Sequence, residues 1–230
     1  MELAPKDSAS YAGSPVEFVD ADNFAHVVGC GLRVASASSG KASDFVFTDA
    51  TRGISCFGVS HRSRTLAIAK RTKPPSIDVV AWPSKDVKCC AAGGAELEFG
   101  AVALSRLGER LAGVSHLVDH RLYVWDVPSA GLKVPGQLPT TAVLVAEANL
   151  PFACSLVAFN PADSTMLATA SHDGGLLFWK LARSHGLWHL TSVEADCKAL
   201  PPPVLPEGGT TDRSISDDGH DEEDEEDEEV

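Results

Sequence analysis

Several short stretches carry residue types that do chemistry elsewhere. His116 and His120 stand four apart with Asp119 between them. On a helix that spacing turns two imidazoles toward one metal ion. Here both lie between two short apolar runs, where the spacing does not converge, and no further ligand is near in sequence. The group reads as structural. Ser115, His116 and Asp119 spell a nucleophilic trio in letters only. A nucleophile elbow needs Gly-x-Ser-x-Gly, and Leu117 holds the second glycine place. Ser38-Ser39-Gly40-Lys41 resembles the end of a phosphate loop, but Ala35 and Ala42 stand where Gly and Ser or Thr are required. Gly29-x-Gly31 has Val34 in place of the third glycine of a dinucleotide fingerprint. The six cysteines, Cys30, Cys56, Cys89, Cys90, Cys154 and Cys197, form no C-x-x-C pair. They read as reduced, mostly buried thiols, with Cys89 and Cys90 alternating across a strand end. No catalytic constellation, cofactor or metal site emerges, and the expectation is a protein that is not an enzyme.

Charge narrows the partners. The formal net charge is −13, yet residues 207–230 hold 13 acids and one base, Arg213. Residues 1–206 therefore hold 19 acids and 18 bases, a net of −1. A near-neutral body argues against broad nucleic-acid binding, which needs clustered Lys and Arg. No apolar run approaches membrane-spanning length, and the N-terminus lacks a secretory pattern. A soluble intracellular protein is expected. A basic run, Arg62, Arg64, Lys70, Arg71 and Lys73, flanks the strand-like residues 66–69. Its plain reading is polar turn residues on a rim, and its functional reading is a patch that contacts an acidic partner. Aromatic residues for base stacking are not interleaved there.

The elements that must position these residues are short. Apolar runs of four to six residues, rich in Val, Ile, Phe and Trp, recur between Gly, Pro, Ser and Asp at intervals of roughly ten. Long apolar patterns of period 3.6 are absent. The chain reads as all-β, and its strands repeat. Leu66-Ala67-Ile68-Ala69 leads to Trp82, Leu111-Ala112-Gly113-Val114-Ser115 to Trp125, and Leu167-Ala168-Thr169-Ala170-Ser171 to Trp179, over 16, 14 and 12 residues. Another strand precedes each, and the tryptophans are 43 and 54 apart. A weaker unit without Trp occupies residues 16–35. A period near 43 of strand, turn, Leu-Ala strand, hairpin and Trp strand is that of a β-propeller blade.

The units resemble WD repeats through Tyr123-Val124-Trp125-Asp126 and Leu177-Phe178-Trp179-Lys180. That resemblance implies blade-packing roles for Trp82, Trp125 and Trp179. It also implies hairpin-turn roles for Asp119 with Ser115 and Asp173 with Ser171, each carboxylate accepting hydrogen bonds from turn amides. Ser76 replaces the Asp of the first Trp unit, and no unit opens with a clear Gly-His. Arg52-Gly53-Ile54-Ser55-Cys56-Phe57, Pro74-Pro75-Ser76-Ile77, Trp82-Pro83-Ser84 and Phe159-Asn160-Pro161 resemble, more narrowly, the N-terminal propeller of the cilia- and flagella-associated protein 43 family. Such proteins are long, with propellers followed by coiled coil. The resemblance implies a cytoskeletal, axonemal setting in a cilium or flagellum, within the complex that tethers an inner-arm dynein head to the doublet microtubule. A general WD adaptor in a ubiquitin ligase or chromatin complex is the rival expectation.

About four blades fit into residues 14–200, with residues 1–13 and the Pro/Gly-rich, then acidic, residues 201–230 expected to be disordered. Asp221 begins nine consecutive carboxylates that cannot bury apolar surface. They read as a solvated spacer, or as an acidic handle for a basic partner. Four blades are the lower extreme for a closed propeller. A partial, unclosed propeller with two open sheet edges is therefore expected. Either the chain is a piece of a longer product, the primary expectation, or a second chain supplies the missing blades.

Overall fold

A computed structural model describes residues 16–28, 30–46, 53–116, 118–129 and 139–194, all within one compact unit, Met1–Cys197. The ends expected to be disordered, 1–13 and 201–230, lie outside the described residues, as do Arg52, Leu117 and Cys197.

The described residues fold into four sheets in chain order. The first comprises β1 (Glu17–Phe18), β2 (Asn23–Val28), β3 (Gly31–Ser36) and β4 (Ala42–Val46). The second comprises β5 (Ile54–Ser60), β6 (Thr65–Lys70), β7 (Ser76–Ala81) and β8 (Val87–Ala92). The third begins with β9 (Phe99–Leu104), β10 (Arg110–Ser115) and β11 (Arg121–Asp126). Its chain then reaches back, and β12 (Thr140–Thr141) pairs in parallel with Cys89 and Cys90 on the outer edge of the second sheet. It returns as β13 (Val143–Asn149) to complete the third sheet. The fourth sheet is β14 (Leu156–Phe159), β15 (Met166–Ala170), β16 (Leu176–Ser184) and β17 (Leu187–Glu194). Successive strands within each sheet pair antiparallel, so each is a four-stranded meander of blade type.

The sheets stack face to face in sequence. β9 lies beside both β5 and β14, so first strands are neighbours from sheet to sheet. Leu32 and Val34 of the first sheet pack with Leu66, Ile68 and Val80 of the second. The other face of the second sheet sets Ala67, Ile77 and Val79 against Phe99, Leu111 and Trp125. The other face of the third sets Ala112, Val114, Leu122 and Val124 against Leu167, Leu177 and Trp179. Among the described residues this series of cores runs from the first sheet to the fourth and does not return, so the propeller is unclosed.

Burial follows from that order. β6 and β10 are buried at every position because a sheet covers each of their faces. This is why they read as unbroken apolar runs rather than alternating ones. β15 and β16 alternate between buried and open positions, as expected of strands covered on one face only.

Candidate functional site: blade junctions and turn clusters

Strand register decides which residue does which job. In the third sheet Leu111 faces Trp125, and in the fourth Leu167 faces Trp179. In the second, Leu66 faces Val80, not Trp82. Trp82 is thus two residues beyond the blade-packing position, in the turn after β7 and only half-buried. The position matching Trp125 is Val80, 14 residues after Leu66 as Trp125 is after Leu111, and Trp82 packs, partly buried, against the margin of the same junction core. Trp82 also donates its indole N–H to Asp20 Oδ2 at 3.0 Å, joining the second sheet to the β1–β2 turn of the first.

Asp20 also accepts from the backbone N–H groups of Asp22 and Asn23 and from the Asn23 amide. Burial alone would raise its pKa, but these donors outweigh it and hold the carboxyl well below the usual carboxylate range. A depressed folded pKa stabilises above the unfolded value of about 3.9 and is lost as pH falls through the folded one. Asp20→Asn is expected to cost about 1.5–3 kcal/mol at pH 7, the worth of hydrogen bonds to a charged group. Urea unfolding at pH 7 and pH 3 should show the gap to wild type narrowing at the lower pH.

Trp125 and Trp179 occupy equivalent sites in unlike surroundings. The Trp179 indole N–H donates to Thr169 Oγ1 at 2.9 Å in the buried junction. The residue matching Thr169 in the third sheet is Gly113. No hydroxyl is available there, and the buried Trp125 N–H has no acceptor among the described residues. Space is tight at Gly113: a Cβ would lie 3.0 Å from the Phe99 ring, which would have to shift to admit it. Phe99 sits edge-on to both Trp125 and Tyr123, with centroids 5.9 and 6.3 Å away.

The hairpin turns depart from expectation in the same way. Among the described residues the serines, not the carboxylates, take the turn amides. Ser115 Oγ accepts from the Arg121 N–H at 2.8 Å, and Ser171 Oγ accepts from the Gly175 N–H at 2.9 Å. Asp173 is exposed. Asp119 accepts from the Tyr123 hydroxyl at 3.2 Å, and its buried Oδ1 has no hydrogen-bond partner among the described residues. Burial, then the Asp119 charge, pushes the Tyr123 phenol up to about 12. Its stabilisation is present below the unfolded value of about 10 and fades as pH rises through about 12. With two tyrosines in the chain, Tyr11 and Tyr123, absorbance titration should resolve a late phase near 12 that Asp119→Asn moves down.

The basic run does not form one patch. Arg62 and Arg64 are exposed in the β5–β6 turn, while Arg71 and Lys73 are exposed beyond the far end of β6. Lys70, within β6, is buried and pairs with Asp78 at 2.9 Å. It is a core ion pair and is corrected as a contact residue. A six-residue strand, roughly 17–20 Å of extended chain, separates the two halves. Arg71 pairs with Glu98 at 2.8 Å.

Two open clefts lie among the turns. One, about 330 Å³, is lined by Arg62, Arg106, Leu107, Glu109, Asn160 and Ser164. The other, about 360 Å³, is lined by Glu96, Val118, Asp119, Arg121, Tyr123 and Asn149. In the first, Ser164 is hydrogen-bonded to the Glu109 carboxylate, and in the second the Tyr123 hydroxyl is bonded to Asp119. Ser115 Oγ is engaged by the Arg121 backbone, and among the described residues no group of three His, Cys, Asp or Glu gathers for a metal. No described helix is long and apolar enough to cross a membrane. Burial pushes the Cys56 thiol up to about 12 and those of Cys89 and Cys90 up to about 11, so they are poor nucleophiles near neutrality. Cys30 is exposed. Of the described cysteines it should react first with a thiol reagent at pH 8, read by mass spectrometry after a short pulse.

Asp20, Asp78, Thr169 and Arg110 are the interacting residues that sequence reasoning missed. Arg110 lies over the Trp188 ring at 4.4 Å, bridging the third and fourth sheets. The one signal available for Asp78 was a charge inside an apolar strand run, which asks for a partner across the hairpin.

No family model matches the chain. It is 26% identical to cilia- and flagella-associated protein 43 of Chlamydomonas reinhardtii, over 79% of this chain and 12% of that protein. It is 23% identical to the same-named protein of Xenopus laevis, over 86% and 11%. It is 29% identical to cilia- and flagella-associated protein 44 of Trypanosoma brucei brucei, over 54% and 6%. The chain thus spans about an eighth or less of these relatives' lengths. Among solved structures, the β-propeller domain of Myceliophteria thermophila Cps50 (Swd1) matches with a TM-score of 0.54 at 13% identity, over 76% of this chain and 56% of that one. A chain of the Chaetomium thermophilum Polycomb Repressive Complex 2 matches at 0.58 and 16% identity, over 71% and 36%. These likenesses show the fold: the chain is an unclosed WD-repeat β-propeller segment whose sequence resembles cilia- and flagella-associated protein 43.

Proposed function

We propose that the chain is a non-enzymatic scaffold, a propeller segment of a structural subunit of the ciliary or flagellar axoneme. The observation that carries this reading is the similarity to cilia- and flagella-associated proteins over most of the chain. The finer role is tethering of an inner-arm dynein head to the doublet microtubule, with other tether-complex subunits as partners. Stacked sheets joined by buried cores suit it, since load passes through hydrogen-bonded strands while the turns at their ends are free to vary.

The test is fractionation of source cells with an antibody to residues 14–194. Signal retained by salt-washed axonemes supports the reading, and signal confined to the soluble extract overturns it. Proximity labelling from the axonemal pool then addresses the tether. Recovery of dynein heavy chain and tubulin is expected, whereas ubiquitin-ligase or histone-handling subunits would favour a general adaptor.

A further inference from the structure

Three turns meet around the cleft of about 330 Å³. The β5–β6 turn brings Arg62, the β9–β10 turn brings Arg106, Leu107 and Glu109, and the β14–β15 turn brings Asn160 and Ser164. Bonds between neighbouring sheets fix their approach. The buried Ser60 hydroxyl, at the end of β5, lies 2.9 Å from the carbonyl oxygens of both Ser105 and Arg106 and shares its proton between them. Gly108 follows in the left-handed region at φ 73°. A Cβ there would lie 2.6 Å from Ser63 Oγ, so the two turns touch. Ser164 bonds the Glu109 carboxylate and ties the β14–β15 turn to β9–β10. The two arginines thus stand on a frame that is set before anything binds.

Charge singles out this place. Three other arginines have carboxylate partners: Arg71 has Glu98 at 2.8 Å, and Arg110 and Arg121 have Asp126 and Glu147, each at 3.6 Å. Arg62 and Arg106 are exposed, and neither pairs with a carboxylate among the described residues. Glu109 is the carboxylate in the lining. The Ser164 and Ser105 hydroxyls hold it, and its Oε2 is closed off from solvent. The charge offered to a ligand is therefore that of the guanidinium groups. Asn160 adds a donor: its Oδ1 accepts from the Ala162 N–H at 2.9 Å, while its Nδ2 meets only the Met166 sulfur, at 4.0 Å, among the described residues. Leu107, 66% exposed, gives the cleft an apolar edge.

We propose that this cleft binds an acidic peptide segment of a partner protein, with Asp or Glu side chains taken by Arg62 and Arg106. A guanidinium fork meets a carboxylate with two parallel hydrogen bonds, and Leu107 suits an apolar side chain beside the acids. A nucleic-acid strand is a poorer occupant, because no aromatic residue is among those lining the cleft to stack on a base. The inference rests on the scaffold reading in taking a protein as the partner. Its test is made on the purified chain, so its failure is separate from a failure of axonemal location.

The experiment is fluorescence anisotropy with a labelled Glu-rich peptide that carries one Leu. The protein is the full 230-residue chain with the acids of residues 221–229 changed to Asn and Gln, so that this run does not compete with the probe. Saturable binding that weakens as salt is added is expected, and the same peptide with Gln for Glu should not bind. Arg62→Glu and Arg106→Glu should each weaken binding by about tenfold or more, and Arg106→Lys, which keeps the charge and loses the fork, by less. Lys73→Glu makes the same change of charge at an exposed place beyond the far end of β6 and should leave binding as it was. Near-UV circular dichroism of each variant checks that the blades are folded. Absence of saturable binding, folded Arg62→Glu and Arg106→Glu chains that bind like the parent, or an equal loss in Lys73→Glu would each overturn the proposal. So would tighter binding of a single-stranded oligonucleotide of equal charge.

Discussion

Trp125→Ala should lower the unfolding free energy by about 3–5 kcal/mol, the range for deleting a large aromatic from a packed core. Trp125 has no exposed surface. Its ring meets Phe99 edge-on and Tyr123 at a tilt with centroids 5.8 Å apart, between the second and third sheets. The loss therefore removes material from a junction, not from one blade. Trp125→Phe should cost markedly less, because it keeps much of the ring while removing an indole N–H that is buried without an acceptor among the described residues. Trp82→Ala is the control. That ring is only half-buried, packs at the margin of the first junction core and is bonded to Asp20, so about 1–2 kcal/mol is expected, one hydrogen bond plus partial burial. Urea unfolding followed by circular dichroism measures all three. Equal losses at Trp82 and Trp125 would refute the register that puts Val80, not Trp82, in the blade-packing place.

The contrast shows what was legible in the sequence. The strands were readable because the blade strands, β1 apart, are four to nine residues long, mostly apolar, β-branched or aromatic and punctuated by turn formers. The order of the units was readable because the pattern repeats. Register was not. β6 and β10 are buried on both faces, so no alternation records which side a residue takes, and a slip of two residues leaves the apolar pattern unchanged. A tryptophan at the end of a blade strand therefore passed for the blade tryptophan. The two-residue β12, Thr140–Thr141, left no readable trace, since its pairing depends on β8 some fifty residues earlier. The basic run failed for a geometric reason. Residues adjacent in sequence along an extended strand lie at opposite ends of it, and Lys70 in the middle is held by a carboxylate that only the folded hairpin brings near.

That ion pair carries the second large effect. Lys70 and Asp78 are both buried, with Nζ and Oδ2 2.9 Å apart. They lie on β6 and β7, where Lys70 faces Ser76 and Asp78 faces Ile68, so the pair spans the ladder diagonally. Asp78 also lowers the acidity of the neighbouring Cys90 thiol, which burial first and then this carboxylate push up to about 11. Removing the carboxylate alone takes from a buried ammonium the partner that sits 2.9 Å from it. Asp78→Ala should therefore cost about 3–5 kcal/mol, the range for breaking a buried pair from one side. Lys70→Met is expected to be as harmful or nearly so, because it strands the carboxylate. The double variant Lys70→Met/Asp78→Leu should recover most of the loss, since replacing both charges by apolar groups of similar size removes two desolvation penalties together with one attraction. A double-mutant cycle in urea measures the coupling. Additive losses would mean that water reaches the pair and that the second sheet is more open at this end than its burial indicates. Recovery would fix Lys70 as a structural cation, leaving Arg62, Arg64, Arg71 and Lys73 as the charges that turn outward.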